Sequence, residues 1–175
     1  MAGTGQAAPA TIRERRRYVW PARSLQIGHY ALVTSWRDSA SGQAQIDVDS
    51  LLNAALPFAQ QMLDQHGEFF PYGVAIDASG ETHMAAGYTG EERPPSQSVL
   101  DILAQGYREQ RDGLRAVALV ADVRADGSDA IRVEVEHREG QAMFVLMPYK
   151  KRRLKRGVNY GDLTAGAGRP QIWSA

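Results

Sequence analysis

The chain has 175 residues, of which 43% are hydrophobic and 23% charged, and these proportions exclude a wholly disordered chain, a collagen or a coiled coil. No apolar run approaches the roughly 18–20 residues of a membrane-spanning helix, and no cysteine is present for a disulfide or a thiolate metal site. The N-terminal basic residues are not followed by the apolar segment of a secretory signal. We therefore expect a cytoplasmic protein of one ordinary domain that does not bind a membrane.

Charge is distributed unevenly along the chain, although the formal net charge is zero. Residues 1–46 carry six arginines against two acidic side chains, residues 47–148 carry 17 acidic against seven basic side chains, and residues 149–175 carry seven basic side chains against one aspartate. We interpret these as a partly disordered N-terminal extension, an acidic core domain and a basic C-terminal tail. Such a split concerns partners rather than fold.

The extension contains one ambiguous stretch. Its alternate residues Tyr30, Leu32, Thr34 and Trp36 would share one face of a strand. Residues 43–47 would then be a short partner strand. The same stretch also fits a tail that packs aromatic rings on the domain, or sequence that precedes the true translation start.

Hydrophobic periodicity predicts two helices and five strands in the core domain. The first helix spans 48–66, with Asp47, Asp49 or Ser50 as its N-cap and a bend near Pro57. The later elements are, in chain order, a strand at 72–76, a turn at 77–80, a strand at 82–88 that closes a hairpin, a helix at 96–112, and strands at 114–124, 129–138 and 141–147.

The element order α-β-β-α-β-β-β predicts a single α+β domain, in which helices pack on an antiparallel sheet of about five strands. In 114–124, the residues that would point to either face of a strand are mostly apolar, so we expect that strand to be covered on both faces. The strand at 82–88 is rich in small residues and weakly protected as a sheet edge, which leaves a homodimer through this edge as one possibility.

The sequence shows no catalytic, metal or cofactor signature. His137 stands between Glu136 and Arg138 at a strand end, and we interpret it as an ordinary surface or strand-end residue. Glu134 and Glu136 alternate with Arg132 and Arg138, which predicts a solvated strand face with ordinary ion pairs. We expect a non-enzymatic protein without a cofactor, and we keep a hydrolase or transferase that uses His137 and a nearby carboxylate as a third hypothesis.

The densest charge follows the last predicted strand, where six of the seven residues at 150–156 are basic. Such a cluster can hold phosphates, and the flanking Tyr149 and Tyr160 can stack bases, so nucleic-acid binding is the alternative function. The cluster also fits a solvated linker folded back on the acidic domain. Its basic residues are Lys150, Lys151, Arg152, Arg153, Lys155 and Arg156.

Several short runs resemble small bacterial α+β proteins of unknown function. They are residues 66–73, 77–80, 129–131, 135–138, 149–151 and 160–161, and the resemblance covers about residues 47–172. Small acidic proteins of this build resemble the immunity proteins of bacterial toxin systems, which block a toxin by binding it. The element order also resembles roadblock/profilin-like modules, which are scaffolding or binding proteins.

The resemblance and the acidic core together predict a protein-binding module of the bacterial cytoplasm. We expect it to dock a basic protein partner, as an immunity-type inhibitor does, because complementary charge speeds association and disfavours wrong partners. The candidate partner-binding residues are Glu91, Glu92, Glu134 and Glu136.

Overall fold

The computed structural model describes residues 18–19, 36–125, 127–152 and 157–174 of the chain. The elements in these ranges confirm the predicted α+β class. They are β1 (Tyr18–Val19), α1 (Gly42–His66), β2 (Tyr72–Asp77), β3 (Thr82–Ala86), α2 (Ser96–Gln110) with a 3-10 turn at Arg111–Gly113, β4 (Leu114–Ala125), β5 (Ser128–His137), β6 (Ala142–Lys151), β7 (Val158–Tyr160) and β8 (Thr164–Ala167).

The strands form one sheet in the order β3-β2-β4-β5-β6-β7. Each neighbouring pair in this order is antiparallel, whereas the short β1 pairs with β4 in parallel. β8 pairs with Met143–Leu146 of β6, and β7 pairs with the end of the same strand, at Tyr149–Lys151. The described residues thus hold eight strands rather than about five, because the segment that we predicted as a tail adds β7 and β8 and the N-terminal extension adds the two-residue β1.

The helix α1 begins six residues earlier than predicted. Ser41 is its N-cap, since the Ser41 hydroxyl accepts a hydrogen bond from the backbone N–H of Ala44 at 3.0 Å. The prediction of a partner strand at 43–47 is therefore wrong, and so are the three N-cap candidates, which all lie inside the helix. α1 continues through Pro57 and ends at His66, and its C-cap Gly67 has a φ of 74°, in the left-handed region that glycine favours.

The two helices lie on opposite faces of the sheet. Leu51 and Leu63 of α1 pack in one core with residues such as Ile131 on β5. On the other face, Leu103 of α2 packs in a second core with Leu119 of β4. The prediction that the strand at 114–124 is covered on both faces is confirmed, because alternate residues of β4 enter the two cores.

The end of β3 and the segment before α1 differ from their predicted structure. β3 ends at Ala86 rather than at residue 88, and Gly87 lies so close to α2 that a Cβ atom there would meet the backbone oxygen of Val99 at 3.0 Å. Trp36 begins a short helical turn at 36–39 rather than ending a strand. The other three residues of that predicted strand lie outside the described residues.

Neither helix of the described ranges combines the length and the apolarity that a membrane span requires.

Candidate functional site

Glu136 is a buried side chain that binds the chain's own C-terminal segment. Its carboxylate accepts three backbone hydrogen bonds, from Gln171 at 2.7 Å, Ile172 at 2.9 Å and Trp173 at 2.7 Å. Only 6% of Glu136 is exposed. The predicted solvated face is therefore wrong at this position, because a segment distant in sequence covers the strand.

Glu134 is partly covered by the same segment. One carboxylate oxygen accepts a hydrogen bond from Arg132 Nε at 2.7 Å, and the other accepts one from Gln171 Nε2 at 2.7 Å. The Arg132 guanidinium is buried and lies 4.4 Å from the ring centre of Phe144. Two of the four predicted partner-binding residues, Glu134 and Glu136, thus have internal roles in this conformation.

The C-terminal segment also closes an apolar surface. Ile172 is fully buried and packs in the α2-side core with Val117 and Leu119. A pocket remains between this segment and strands β4 to β6, but its free space of about 20 Å³ holds about one water molecule. That volume does not fit a small-molecule substrate.

Glu91 and Glu92 lie in the loop that follows β3, and both side chains are exposed. The loop turns at Gly90, whose φ is 83°, and the backbone N–H of Glu91 donates to the Thr89 hydroxyl at 3.2 Å. At the other end of β3, Glu81 is also exposed. Exposed carboxylates therefore lie in the segments before and after this strand.

β3 is an edge strand of the described sheet. It pairs with β2 on one side, and no strand of the described ranges pairs with it on the other. Four of its five residues are exposed, among them Met84 with half of its surface in solvent. We call the outer side of β3 together with Glu81, Glu91 and Glu92 the acidic edge.

A second cluster joins α1 to the far end of β5. Asp47 and His137 are each 1% exposed, and His137 Nε2 lies 3.2 Å from one Asp47 carboxylate oxygen. The other oxygen accepts hydrogen bonds from Arg115 Nη2 at 2.7 Å and from Gln43 Nε2 at 2.8 Å. His137 is the last residue of β5, as the strand-end interpretation predicted, but the alternative that it is a surface residue is wrong. A carboxylate does stand beside it.

The hydrogen bonds of His137 occupy both of its ring nitrogens. Nδ1 accepts the backbone N–H of Glu139 at 3.1 Å, so the hydrogen-bond network places the ring proton on Nε2, which donates to Asp47. A general base needs a ring nitrogen within reach of a substrate proton. With both nitrogens engaged and the ring buried, this cluster ties α1 to the β5–β6 turn.

Asp77, Ser79 and His83 form an exposed cluster at the β2–β3 turn. Asp77 accepts hydrogen bonds from the Ser79 hydroxyl at 2.6 Å and from His83 Nε2 at 2.8 Å. These bonds, of which the Ser79 bond has the largest effect, hold the pKa of Asp77 well below its usual range. The serine donates to the aspartate and not to the histidine, so the nucleophile–base bond of a catalytic triad is missing. The cluster therefore stabilises the β2–β3 turn.

The basic cluster is partly described by the structure. Lys150, Lys151 and Arg152 are exposed at the end of β6, whereas Arg153, Lys155 and Arg156 lie outside the described residues. Tyr149 is 2% exposed and donates its hydroxyl to Asp122 at 2.7 Å, so the prediction that it stacks on a base is wrong. The Tyr160 hydroxyl donates to the Gln60 carbonyl at 3.0 Å, which ties that ring to α1.

Comparison with protein-family models, with curated proteins and with solved structures found no match for this chain.

Proposed function

We propose that this protein is a non-enzymatic protein-binding module that docks a basic partner through the acidic edge. The observation that carries the proposal is the unpaired outer side of β3 with exposed carboxylates at both ends of the strand. Glu91 and Glu92 keep the role that the sequence predicted for them. Glu81 takes the place of Glu134 and Glu136, whose carboxylates are occupied by the chain itself.

The chemistry of the described residues supports binding rather than catalysis. The Asp47–His137 cluster is buried and its ring nitrogens are occupied. The Asp77 turn lacks a serine–histidine bond. A binding module needs none of these features, only an accessible surface whose charge complements that of its partner.

In its most concrete form, the module is an immunity-type inhibitor in the bacterial cytoplasm that covers a basic surface of a toxin. The acidic edge supports this form because carboxylates around a docking surface steer a basic partner toward it. Such steering raises the association rate and weakens as salt is added.

A capture experiment tests the proposal. The tagged full chain, the charge-reversed variant Glu91→Lys/Glu92→Lys and the control variant Glu109→Lys/Asp112→Lys are each incubated with nuclease-treated lysate. We expect one basic protein to be retained by the first and third chains and lost by the second. The control makes the same change in net charge at two exposed positions, Glu109 in the last turn of α2 and Asp112 in the 3-10 turn that follows it. Equal retention by all three chains would overturn the proposal.

Comparison of lysate with and without nuclease treatment also distinguishes protein binding from the alternative function, nucleic-acid binding. Retention that disappears with nuclease, and with Lys150→Ala/Lys151→Ala, would assign binding to the cluster at 150–156 instead. That binding would also fall steeply with salt, since each neutralised phosphate releases counterions.

A further inference from the structure

We propose that the partner contributes an extended basic segment, which adds to the outer side of β3 as a further strand of the sheet. This inference rests on the proposed protein-binding function and specifies how the acidic edge is used. It concerns backbone pairing, which charge complementarity alone does not require.

The hydrogen-bond alternation of the β2–β3 hairpin identifies the free backbone groups. The backbone N–H of Asp77 donates to the Glu81 carbonyl at 3.0 Å, which makes this the first bonded pair beside the turn. Bonded and non-bonded pairs alternate along an antiparallel ladder. His83 and Ala85, the register partners of Ala75 and Gly73, therefore bond to β2.

The remaining β3 residues point their backbone groups away from β2. Thr82, Met84 and Ala86 occupy the non-bonded positions, so their N–H and C=O groups face outward. Such a row is a template for another strand, and natural edges are commonly protected by proline, lysine or a covering segment. β3 contains neither proline nor lysine, and no described strand covers it.

Apolar surface beside this row supports an added strand. Met84 is paired with Val74, which lies in the α1-side core, so the Met84 side chain projects on the α1 face of the sheet with 50% of its surface exposed. On the same face, Phe58 of α1 stacks edge-on against Tyr72 at 5.0 Å and is 36% exposed. An apolar side chain of the added strand would cover Met84.

Charge selects a basic segment over a second copy of this chain. In a symmetric antiparallel pair centred on Met84, Glu81 of one copy would stand opposite Gly87 of the other, next to the loop that carries Glu91 and Glu92. That loop carries Glu91 and Glu92 against one exposed arginine, Arg93, so its net charge has the same sign as that of Glu81, which disfavours this pairing at both ends of the shared edge. Lysine or arginine side chains at the ends of a foreign strand would pair with the same carboxylates.

The test uses the full chain and a synthetic peptide of about seven residues, which spans the five positions of β3 with one residue to spare at each end. The peptide alternates lysine and valine, begins and ends with lysine, and carries a fluorescent label. A second peptide has glutamate in place of lysine. We expect the anisotropy of the basic peptide to rise on titration with the chain and that of the acidic peptide to stay unchanged.

Two variants at one position separate backbone pairing from side-chain contact. Met84→Pro removes an N–H that faces outward, so it leaves the β2–β3 bonds in place, whereas Met84→Thr keeps the N–H. We expect the proline variant to bind the basic peptide about tenfold more weakly than the threonine variant. Equal affinities in two folded variants would overturn strand addition.

Amide hydrogen exchange of the unmodified chain provides a measurement that does not depend on a variant. We expect the peptide to slow exchange at Thr82, Met84 and Ala86, while His83 and Ala85 are already protected by β2. Peptide binding without this protection would overturn strand addition and leave the proposed function to the capture experiment. Protection of the same amides without peptide, rising with protein concentration, would make a second copy the occupant and overturn the choice of a basic segment.

Discussion

Glu136 on β5 and Ile172 in the C-terminal segment are joined by a hydrogen bond of 2.9 Å between a carboxylate oxygen and a backbone N–H. Together with the bonds from the two neighbouring amides, it places three backbone donors on one buried anion. Hydrogen bonds to charged groups are the stronger class, and a buried carboxylate depends on them. The C-terminal segment is therefore part of the folded domain.

Replacement of this carboxylate should destabilise the protein. In Glu136→Gln, an amide N–H₂ faces backbone N–H donors, and we expect the free energy of unfolding in urea to fall by about 2 to 3 kcal/mol. Glu134→Gln is the matched control, since its carboxylate accepts only two side-chain bonds and the amide oxygen of glutamine can keep one of them. It should cost about 1 kcal/mol, less than Glu136→Gln. Equal losses of unfolding free energy in the two variants would show that the backbone hydrogen bonds to Glu136 contribute no more to stability than the side-chain bonds to Glu134.

Loss of Asp47 should cost more than loss of its neighbour Asp49. Asp47→Ala leaves Arg115 and His137 without their shared buried carboxylate, and breaking such a pair costs about 3 to 5 kcal/mol. The Asp49–Arg37 pair is 48% and 44% exposed, so Asp49→Ala should cost about 1 kcal/mol or less. Urea unfolding of both variants checks this order, and a reversed order would contradict it.

Two buried tyrosines should respond differently to loss of the hydroxyl. The Tyr107 hydroxyl is buried without a partner among the described residues, and its burial raises the pKa of the phenol. The Tyr72 hydroxyl donates to the Ala55 carbonyl at 2.6 Å.

We therefore expect Tyr107→Phe to leave stability unchanged or raise it by about 1 kcal/mol, because it removes a buried donor that has no acceptor. Tyr72→Phe should lower stability by about 1 kcal/mol, because it leaves a buried carbonyl without its donor. Thermal unfolding of the two variants measures both effects. A loss for Tyr107→Phe equal to that for Tyr72→Phe would show that the Tyr107 hydroxyl has a partner.

The β2–β3 turn should weaken in acid. The Ser79 hydroxyl, the His83 ring and the backbone amides of Ser79 and Glu81 lower the pKa of Asp77 relative to the unfolded chain. Because the folded pKa is the lower one, this stabilisation is complete above the unfolded value of about 4, and it is lost as the pH falls toward the folded value.

Carboxyl carbon NMR titration measures this effect directly. Ser79→Ala should raise the pKa of Asp77 toward its usual value, and Thr82→Ala, an exposed neighbour outside this hydrogen-bond set, should leave it unchanged. A pKa of Asp77 that does not move in Ser79→Ala would assign the lowering to the other donors.

The parts of the fold that were predictable depend on local periodicity. The alternation of apolar and polar residues along β5 and the apolar residues on both faces of β4 reflect contacts with immediate neighbours in the sheet. The turn residues at 77–80 indicate the hairpin. The α1 start was missed because the three candidates inside the helix have the same capping chemistry as Ser41. The spacing of Ala44 from Val48, both buried on one helix face, was the available signal.

The C-terminal strands and the role of Glu136 were not predictable in the same way. β8 is Thr-Ala-Gly-Ala and has no apolar period, and its Gly166 lies against the Phe144 ring, where a Cβ atom would approach within 2.6 Å. Alternation shows that Glu134 and Glu136 share a face but not whether water or another chain segment covers it. The pairing of Asp47 with His137 spans 90 positions, and no local pattern encodes it.

Amide hydrogen exchange of the full chain with and without the captured basic protein tests most directly whether the partner docks on the acidic edge. We expect slower exchange at Thr82, Met84 and Ala86 and in the loop that carries Glu91 and Glu92, with no change at Lys150, Lys151 or Arg152. Protection confined to those three basic residues, with the β3 amides unchanged, would contradict docking on the acidic edge.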